Sequence, residues 1–387
     1  MKRKQFWISY TFLCLTCVLL IAVPIIDIFQ IEDNFLVNYE DVAEANDNHL
    51  FGSYITGELS QKQSVGTEKV KNGEMVFKLF GFIPIRKISV VMAAEDDYYI
   101  GGVPIGLSIT ADGAIVISDN GNESIKEGDI ITKINGVAMN DIDDMQEVLK
   151  KQYEAEVTYL RKNKELRTLV KVLKDKQNKY KLGLTVKDNI TGVGTLTFVN
   201  KNTNEYGALG HAIVDDVGGN IVPVSNGNVY SCNLIGINKG QKNNPGQLRC
   251  VFVQNGKTKG SIASNSKFGI NGTLTNLDGL VDKNLTAKIG GRLSVKPGKA
   301  TIVSNISGIK EEYEIEIIKA NYQKKANDKS IVFRVTDKRL LNLTGGIVQG
   351  MSGSPIMQNG KIVGAVTHVF LSDPTKGYGV YCDFMLD

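Results

Sequence analysis

Histidine is scarce in this chain, with only His49, His211 and His368 among 387 residues. Chemistry that moves a proton through an imidazole near neutral pH therefore has few places to occur. Proline is also scarce, eight residues against forty glycines, which suits a turn-rich β protein more than one built on long linkers. Of the five cysteines, Cys14 and Cys17 lie in an apolar N-terminal run. That leaves Cys232, Cys250 and Cys382, which cannot all pair within one chain. Beyond that run there is no Cys-x-x-Cys and no metal-ligand spacing, so neither a metal nor an organic cofactor is expected. The net charge is only +4, and no basic run is interleaved with aromatics. Nucleic acid is therefore not an expected partner.

What is present begins with Lys2-Arg3-Lys4 ahead of an apolar run from Phe6 to Phe29. Positive charge before about 21 apolar residues up to Ile26 predicts a cytoplasmic tip and a transmembrane signal anchor over 1–30, with the rest of the chain outside the cell membrane. Residues 31–75 are polar, acidic first and then rich in Lys, Ser and Gly, without periodicity, and read as a flexible stalk. Residues 76–100 carry short strands leading into the next unit, beginning Val76-Phe77-Lys78-Leu79-Phe80.

Over 101–175 the chain runs Ile105-Gly106-Leu107-Ser108-Ile109, then Gly128-Asp129-Ile130-Ile131-Thr132-Lys133-Ile134-Asn135-Gly136. A helix follows over about 140–151, acidic in its first turn and basic in its last. This stretch resembles a bacterial PDZ domain. The resemblance implies that a peptide adds as a strand at Ile105, Gly106 and Leu107 and lies against Met145 of the helix.

Residues 182–387 are short β-branched runs punctuated by Asn, Gly and Asp, the pattern of closed or sandwiched all-β domains, and their length fits two barrels. Within them stands Gln349-Gly350-Met351-Ser352-Gly353-Ser354-Pro355, followed by Asn359-Gly360 and the strand Ile362-Val363-Gly364-Ala365-Val366-Thr367-His368. Glycines on both sides of Ser352 let the backbone curl and aim successive N–H groups at one point. The loop resembles the nucleophile loop of chymotrypsin-like serine peptidases, which makes Ser352 the nucleophile and the amides of Gly350 and Ser352 the oxyanion hole. Met351 replaces the aspartate that digestive relatives pair with a new N-terminus, so activation by that ion pair is not available.

His49 lies in the expected stalk, leaving His211 in Gly207-Ala208-Leu209-Gly210-His211-Ala212 and His368 as candidate bases. The chain order of chymotrypsin-like enzymes favours His211 and leaves His368 structural or in the substrate cleft. Asp337, fifteen residues before Ser352, is the expected orienting acid, with Asp215 and Asp216 as rivals.

Taken together, Gly-His-Ala-Ile, Gln-Gly-Met-Ser-Gly-Ser-Pro-Ile and Gly-Ala-Val-Thr-His-Val-Phe resemble the SpoIVB peptidase family of spore-forming bacteria. The expected fold class is mainly β: an N-terminal transmembrane helix, a PDZ domain and a chymotrypsin-like double β-barrel. The family's triad matches His211, Asp337 and Ser352. The resemblance implies a signalling endopeptidase made in the forespore membrane and released into the intermembrane space. It implies cleavage of itself and of the extracytoplasmic part of a membrane regulator, which activates an intramembrane metalloprotease and a late mother-cell sigma factor. A non-catalytic envelope PDZ adaptor and a general quality-control protease are the alternative readings.

Overall fold

The run beginning at Ile105 does not stop after one short strand. In the computed structural model it continues from Pro104 to Ser118 as a single fifteen-residue strand, around which the first half of the molecule is built. The structure describes residues 16, 18, 22–29, 31, 33, 35–37, 39–47, 49, 54–61, 72–92, 96–139, 142–175, 178–215, 218–252, 257–320 and 326–386.

The N-terminal unit has strands β1 (Phe35–Val37), β2 (Ile55–Gln61), β3 (Asn72–Leu79) and β4 (Ile83–Met92), with helix α1 (Tyr39–Asp47). The strands pair in the order β1-β4-β3-β2. Alternate residues Met75 and Phe77 on β3 meet Ile88 and Val90 on β4 and Val42 on α1 in a buried core. Phe35–Val37, Tyr39–Asp47 and Ile55–Gln61 thus belong to a folded layer, within the stretch expected to be a stalk. Asp41 on α1 is 1 % exposed and accepts from Lys361 Nζ at 2.9 Å, tying this layer to the C-terminal part of the chain.

Much of the expected transmembrane segment, including 1–15, lies outside the described residues. The end of the apolar run folds back into protein: Ile28 and Ile31 are buried in the N-terminal core, and Arg86 donates to both of their carbonyls, at 2.5 and 2.7 Å. Among the described residues no helix is long and apolar enough to cross a membrane. This overturns the expected anchor, and with it the transmembrane part of the fold class, the membrane as a partner and the single-pass membrane localisation.

The long strand is β5 (Pro104–Ser118). Beyond it come β6 (Ile130–Ile134), helix α2 (Ile142–Val148), β7 (Glu154–Arg161), β8 (Lys164–Lys171), β9 (Thr185–Asn200), β10 (Glu205–Ala208), β11 (Val224–Ser231), β12 (Gly260–Ser266) and β13 (Gly269–Leu274). Strands β5-β11-β12-β13-β10-β9 pair in that order, and β9 pairs back onto β5, closing a six-stranded barrel. Its interior is filled by Ile105, Leu107, Ile109, Leu196, Val199 and Tyr206.

The far half of β5 serves a second core. Ala114 pairs with Ile131 of β6, and β7 and β8 continue that sheet. The Gly-Asp of the motif has a local cause here: Asp129, 1 % exposed, accepts from Arg161 Nε at 2.8 Å and Nη2 at 2.6 Å, pinning the turn before β6 to the end of β7. Asn135 and Gly136, with φ of 48° and 79°, form the two-residue turn that the dipeptide predicts.

Strand addition needs an edge with unpaired N–H and C=O groups. At Ile105 to Leu107 there is none, because Gly106 pairs with Val193 of β9 on one side and Tyr230 of β11 on the other. A Cβ on Gly106 would lie 2.2 Å from the Phe252 ring. Met145 is buried in the separate core of β6, β7 and α2. The expected peptide site at Ile105, Gly106, Leu107 and Met145 is therefore corrected: the first three are staves of a barrel, and the fourth packs elsewhere.

The second barrel is formed by β14 (Gly298–Ser304), β15 (Glu311–Ala320), β16 (Ile331–Val335), β17 (Pro355–Gln358), β18 (Lys361–Val369) and β19 (Lys376–Tyr381), closed in the order β14-β15-β16-β19-β18-β17. Helix α3 (Lys338–Thr344) joins β16 to the serine loop. Asn359 and Gly360, with φ of 51° and 74°, turn β17 into β18. The two barrels bear out the double-barrel part of the expected fold.

Candidate active site

The serine loop enters from α3, which ends at Gly345 in the left-handed conformation with its N–H bonded to Leu341 O at 2.9 Å. Strand β9 of the first barrel then grips the loop. Thr195 N–H donates to Ser352 O at 3.0 Å, Thr195 Oγ1 to Gly350 O at 2.8 Å, and Thr197 Oγ1 to Gly353 O at 2.7 Å. Gly353 has φ 97°, and a Cβ there would meet Thr195 O at 2.0 Å, so this close approach admits only glycine. The loop is fixed at the junction of the two barrels.

Within the loop the amides alternate. Met351 N–H bonds Val348 O at 3.1 Å, Gly353 N–H bonds Val366 O at 2.7 Å, and Ser354 N–H bonds Met351 O at 2.9 Å. Among the described residues the N–H groups of Gly350 and Ser352 donate to nothing. They are the pair that an oxyanion hole requires. Met351 is fully buried in the second barrel's core, which gives the residue at that position a packing role.

Half-buried Ser352 donates its hydroxyl to Thr367 O at 2.8 Å. Thr367 and His368 lie on β18, where the register shifts between Val366 and His368, a bulge that turns the strand locally. Facing them, the chain leaves β10 through Leu209, a non-glycine residue at φ 71°, bridged by a hydrogen bond from Gly210 N to Ala208 O at 2.9 Å. This is a strained γ-turn, a conformation that surrounding structure must enforce. It sets Gly210 against Thr367 and places His211 beside His368, with ring centroids 5.2 Å apart and planes at 42°. His211 Nδ1 lies 2.9 Å from Ala212 O. A carbonyl can only accept, so this contact puts the proton on Nδ1 and leaves Nε2 with its lone pair.

Among the described residues, buried His368 Nδ1 has no hydrogen-bond partner, and it lies 3.8 Å from Asp328 Oδ2. Burial holds the pKa of His368 below the usual imidazole value, with the neighbouring His211 adding to the effect, Asp328 opposing it and Lys329 adding to it.

Asp337 is not part of this cluster. It is the N-cap of α3, accepting from the N–H groups of Arg339 at 2.7 Å and Leu340 at 3.4 Å, and from Glu314 N–H at 3.3 Å. Arg339 Nη2 pairs with it at 2.8 Å. That guanidinium, helped by the backbone N–H groups, lowers its pKa to about 2. Asp328 lies three residues before β16 and Asp337 two residues after it, so the two are separated by roughly 15 Å of strand. Among the described residues no hydrogen bond or ion pair joins Asp337 to His211 or His368. Of its rivals, Asp215 accepts from the N–H groups of Gly218 and Asn220 in its own turn, and Asp216 lies outside the described residues. The structure thus sets the Gly350–Ser352 loop against Thr367, Gly210 of the His211 segment against the same residue, and Asp337 in a helix cap. Asp328 was missed because nothing in Asn327-Asp328-Lys329 distinguishes it from an ordinary turn.

The lowered pKa of Asp337 has a stability consequence with a definite sign. Its contribution is fully present above about pH 4 and is lost as pH falls through about 2. Asp337→Ala is expected to cost about 1–2 kcal/mol in urea unfolding at pH 7, with the difference from wild type shrinking toward pH 2. An unchanged midpoint at pH 7 would mean that the cap contributes nothing.

A sequence profile of the family described as SpoIVB peptidase S55 matches residues 178–386, which span five of the first barrel's six strands, the second barrel and the serine loop. The chain belongs to the SpoIVB peptidase S55 family. No curated protein matches it. Among solved structures, the PDZ domain of the SdrC-like protein from Listeria monocytogenes is similar at 23% identity, over 20% of this chain and 90% of that one, with a TM-score of 0.19. Membership in the SpoIVB peptidase family gives the chain a protease role associated with sporulation.

Proposed function

We propose that this SpoIVB family member is a serine endopeptidase with Ser352 as nucleophile and His211 as general base. The observation that carries the reading is the pair of unbonded amides, Gly350 and Ser352, beside a hydroxyl that faces the segment packed against His211. The Ser352 hydroxyl turns from Thr367 O toward His211 Nε2, a rotation between staggered side-chain positions. The oxygen attacks the scissile carbonyl while His211 takes its proton, and the two amides hold the charge that develops on the carbonyl oxygen. His211 then returns that proton to the leaving amine, and water repeats the sequence on the acyl-enzyme. Ala212 O keeps the required tautomer throughout.

On the family's pattern the substrates are the chain itself and the extracytoplasmic part of a membrane regulator. Cutting the regulator releases an intramembrane metalloprotease and so a late mother-cell sigma factor. A fluorophosphonate is expected to label Ser352 in the full chain, with the adduct located by mass spectrometry. Absence of any adduct would favour a non-catalytic adaptor.

A further inference from the structure

We propose that Cys232 and Cys250 are a modification site, a thiol pair that closes into a reversible disulfide and thereby holds the Gly350 amide in its oxyanion position. The catalytic half of this inference rests on the reading of Ser352 given above; the disulfide itself does not. Of the three cysteines beyond the N-terminal apolar run, Cys382 is fully buried, while Cys232 and Cys250 are half-buried free thiols. After Ser231, the last residue of β11, the chain leaves the first barrel and forms a two-stranded ribbon, Asn233–Asn238 against Gln247–Val251. Asn233 stands opposite Val251 and Leu234 opposite Cys250, so the strand period of two puts Cys232 on the same face as Cys250, as its diagonal neighbour. The two thiols are hydrogen-bonded to each other. The ribbon's register shifts between Leu234 and Gly236, and the added twist of such a bulge helps bring the sulfurs to the about 2.05 Å of an S–S bond.

What the ribbon holds is the peptide unit that carries an oxyanion donor. Gln349 N–H donates to Gly246 O, and Leu248 N–H donates to Gln349 O, both at 2.8 Å. A peptide unit is planar and trans, so a hydrogen bond to Gln349 O also fixes the direction of Gly350 N–H, which points the opposite way. The Leu248 side chain packs against Gly350 as well, where an added Cβ would meet Leu248 Cβ at 3.0 Å. Leu248 and Cys250 share one strand and one face, so a clamp at Cys250 restrains the strand that aims the amide.

The chemistry is exchange with a small-molecule disulfide such as glutathione disulfide. Cys232 donates its hydrogen to the Cys250 sulfur, which raises the pKa of Cys232, with burial adding to it, and lowers that of Cys250, with burial opposing. Cys250 is therefore the first to attack. Its thiolate displaces one thiolate from the reagent, and the Cys232 thiolate then displaces the other from the Cys250 sulfur. The two cysteines are oxidised, the reagent is reduced to two thiols, and the two protons that the cysteines lose end on those thiols. Burial pushes the Cys382 thiol well up and keeps it out of the exchange.

The test incubates the full chain in glutathione buffers of rising disulfide content, maps its peptides by mass spectrometry and follows fluorophosphonate labelling of Ser352. Mapping is needed because Cys14, Cys17 and Cys382 also carry sulfur. A peptide linked through Cys232 and Cys250 is expected in most chains, reversible by dithiothreitol, with the melting temperature raised by roughly 5 °C. Labelling should quicken by about two- to fivefold, a small part of what complete loss of an oxyanion donor costs. Cys232→Ser and Cys250→Ser, each checked for fold by circular dichroism, should label at the reduced wild-type rate in every buffer. Glutathione adducts without the linked peptide, or a linked chain that labels at the reduced rate, overturn the proposal. Absence of label on Ser352 in every buffer overturns the reading of the nucleophile and the catalytic half with it, while the linked peptide still decides the disulfide.

Discussion

Replacing Ser352 by alanine is expected to lower peptide hydrolysis by roughly a million-fold, leaving only what binding and the oxyanion amides provide. The fold should be little affected, because the hydroxyl makes one hydrogen bond, to Thr367 O, and sits half-buried. Losing such a bond costs on the order of 1 kcal/mol. Ser354, two residues on, makes the comparison sharp. It is fully buried and its Oγ has no hydrogen-bond partner among the described residues, so alanine there removes an unsatisfied polar atom. Ser354→Ala should hold or raise the melting temperature and keep hydrolysis within a few-fold of wild type. Hydrolysis rates and thermal melts on the two variants decide the matter. An inactive Ser354→Ala beside an active Ser352→Ala would move the nucleophile by two positions and detach it from the free amides of Gly350 and Ser352.

The serine loop was legible because its chemistry depends on local backbone: glycines at fixed places, a small nucleophile and a two-residue turn at Asn359-Gly360. The barrels were legible as β-branched runs at regular spacing. The neighbours of each strand were not. Ile105 to Ile109 alternates like any half-buried strand, and nothing in that period of two says whether its edges are open or paired, so a barrel stave read as a peptide-binding edge. The N-terminal layer was hidden because its surface is polar while its core rests on scattered residues such as Val37, Val42 and Ile55, which meet only in three dimensions.

Asp337 shows the same limit at the scale of one side chain. Its place at a strand end before Ser352, and the family's triad, suggested the orienting acid, whereas Asp337-Lys338-Arg339-Leu340-Leu341 is also an N-cap followed by a helix start. The cap prevailed because α3 exposes several amides at its first turn, and the carboxylate satisfies two of them while pairing with Arg339. Asp328 gave no signal because its contact with His368 lies forty residues along the chain, across the end of the second barrel.

His211→Ala is expected to be as inactive as Ser352→Ala, and the double variant no worse than either, because a nucleophile and its base fail as one unit. The structure gives this a local basis. The strained turn at Leu209 carries His211 to the face of β18 that holds Thr367, and Ala212 O sets its tautomer. Alanine at 211 deletes the proton acceptor and leaves the turn, the serine loop and the free amides unchanged. Residual labelling should then rise only as hydroxide begins to replace the base, giving a rate that climbs with pH without the plateau of the wild type. Steady-state hydrolysis and fluorophosphonate labelling across pH read this directly. If His211→Ala keeps a wild-type plateau while His368→Ala is inactive, the base is His368, with Asp328 beside its Nδ1 as the orienting acid and His211 as a wall of the substrate cleft.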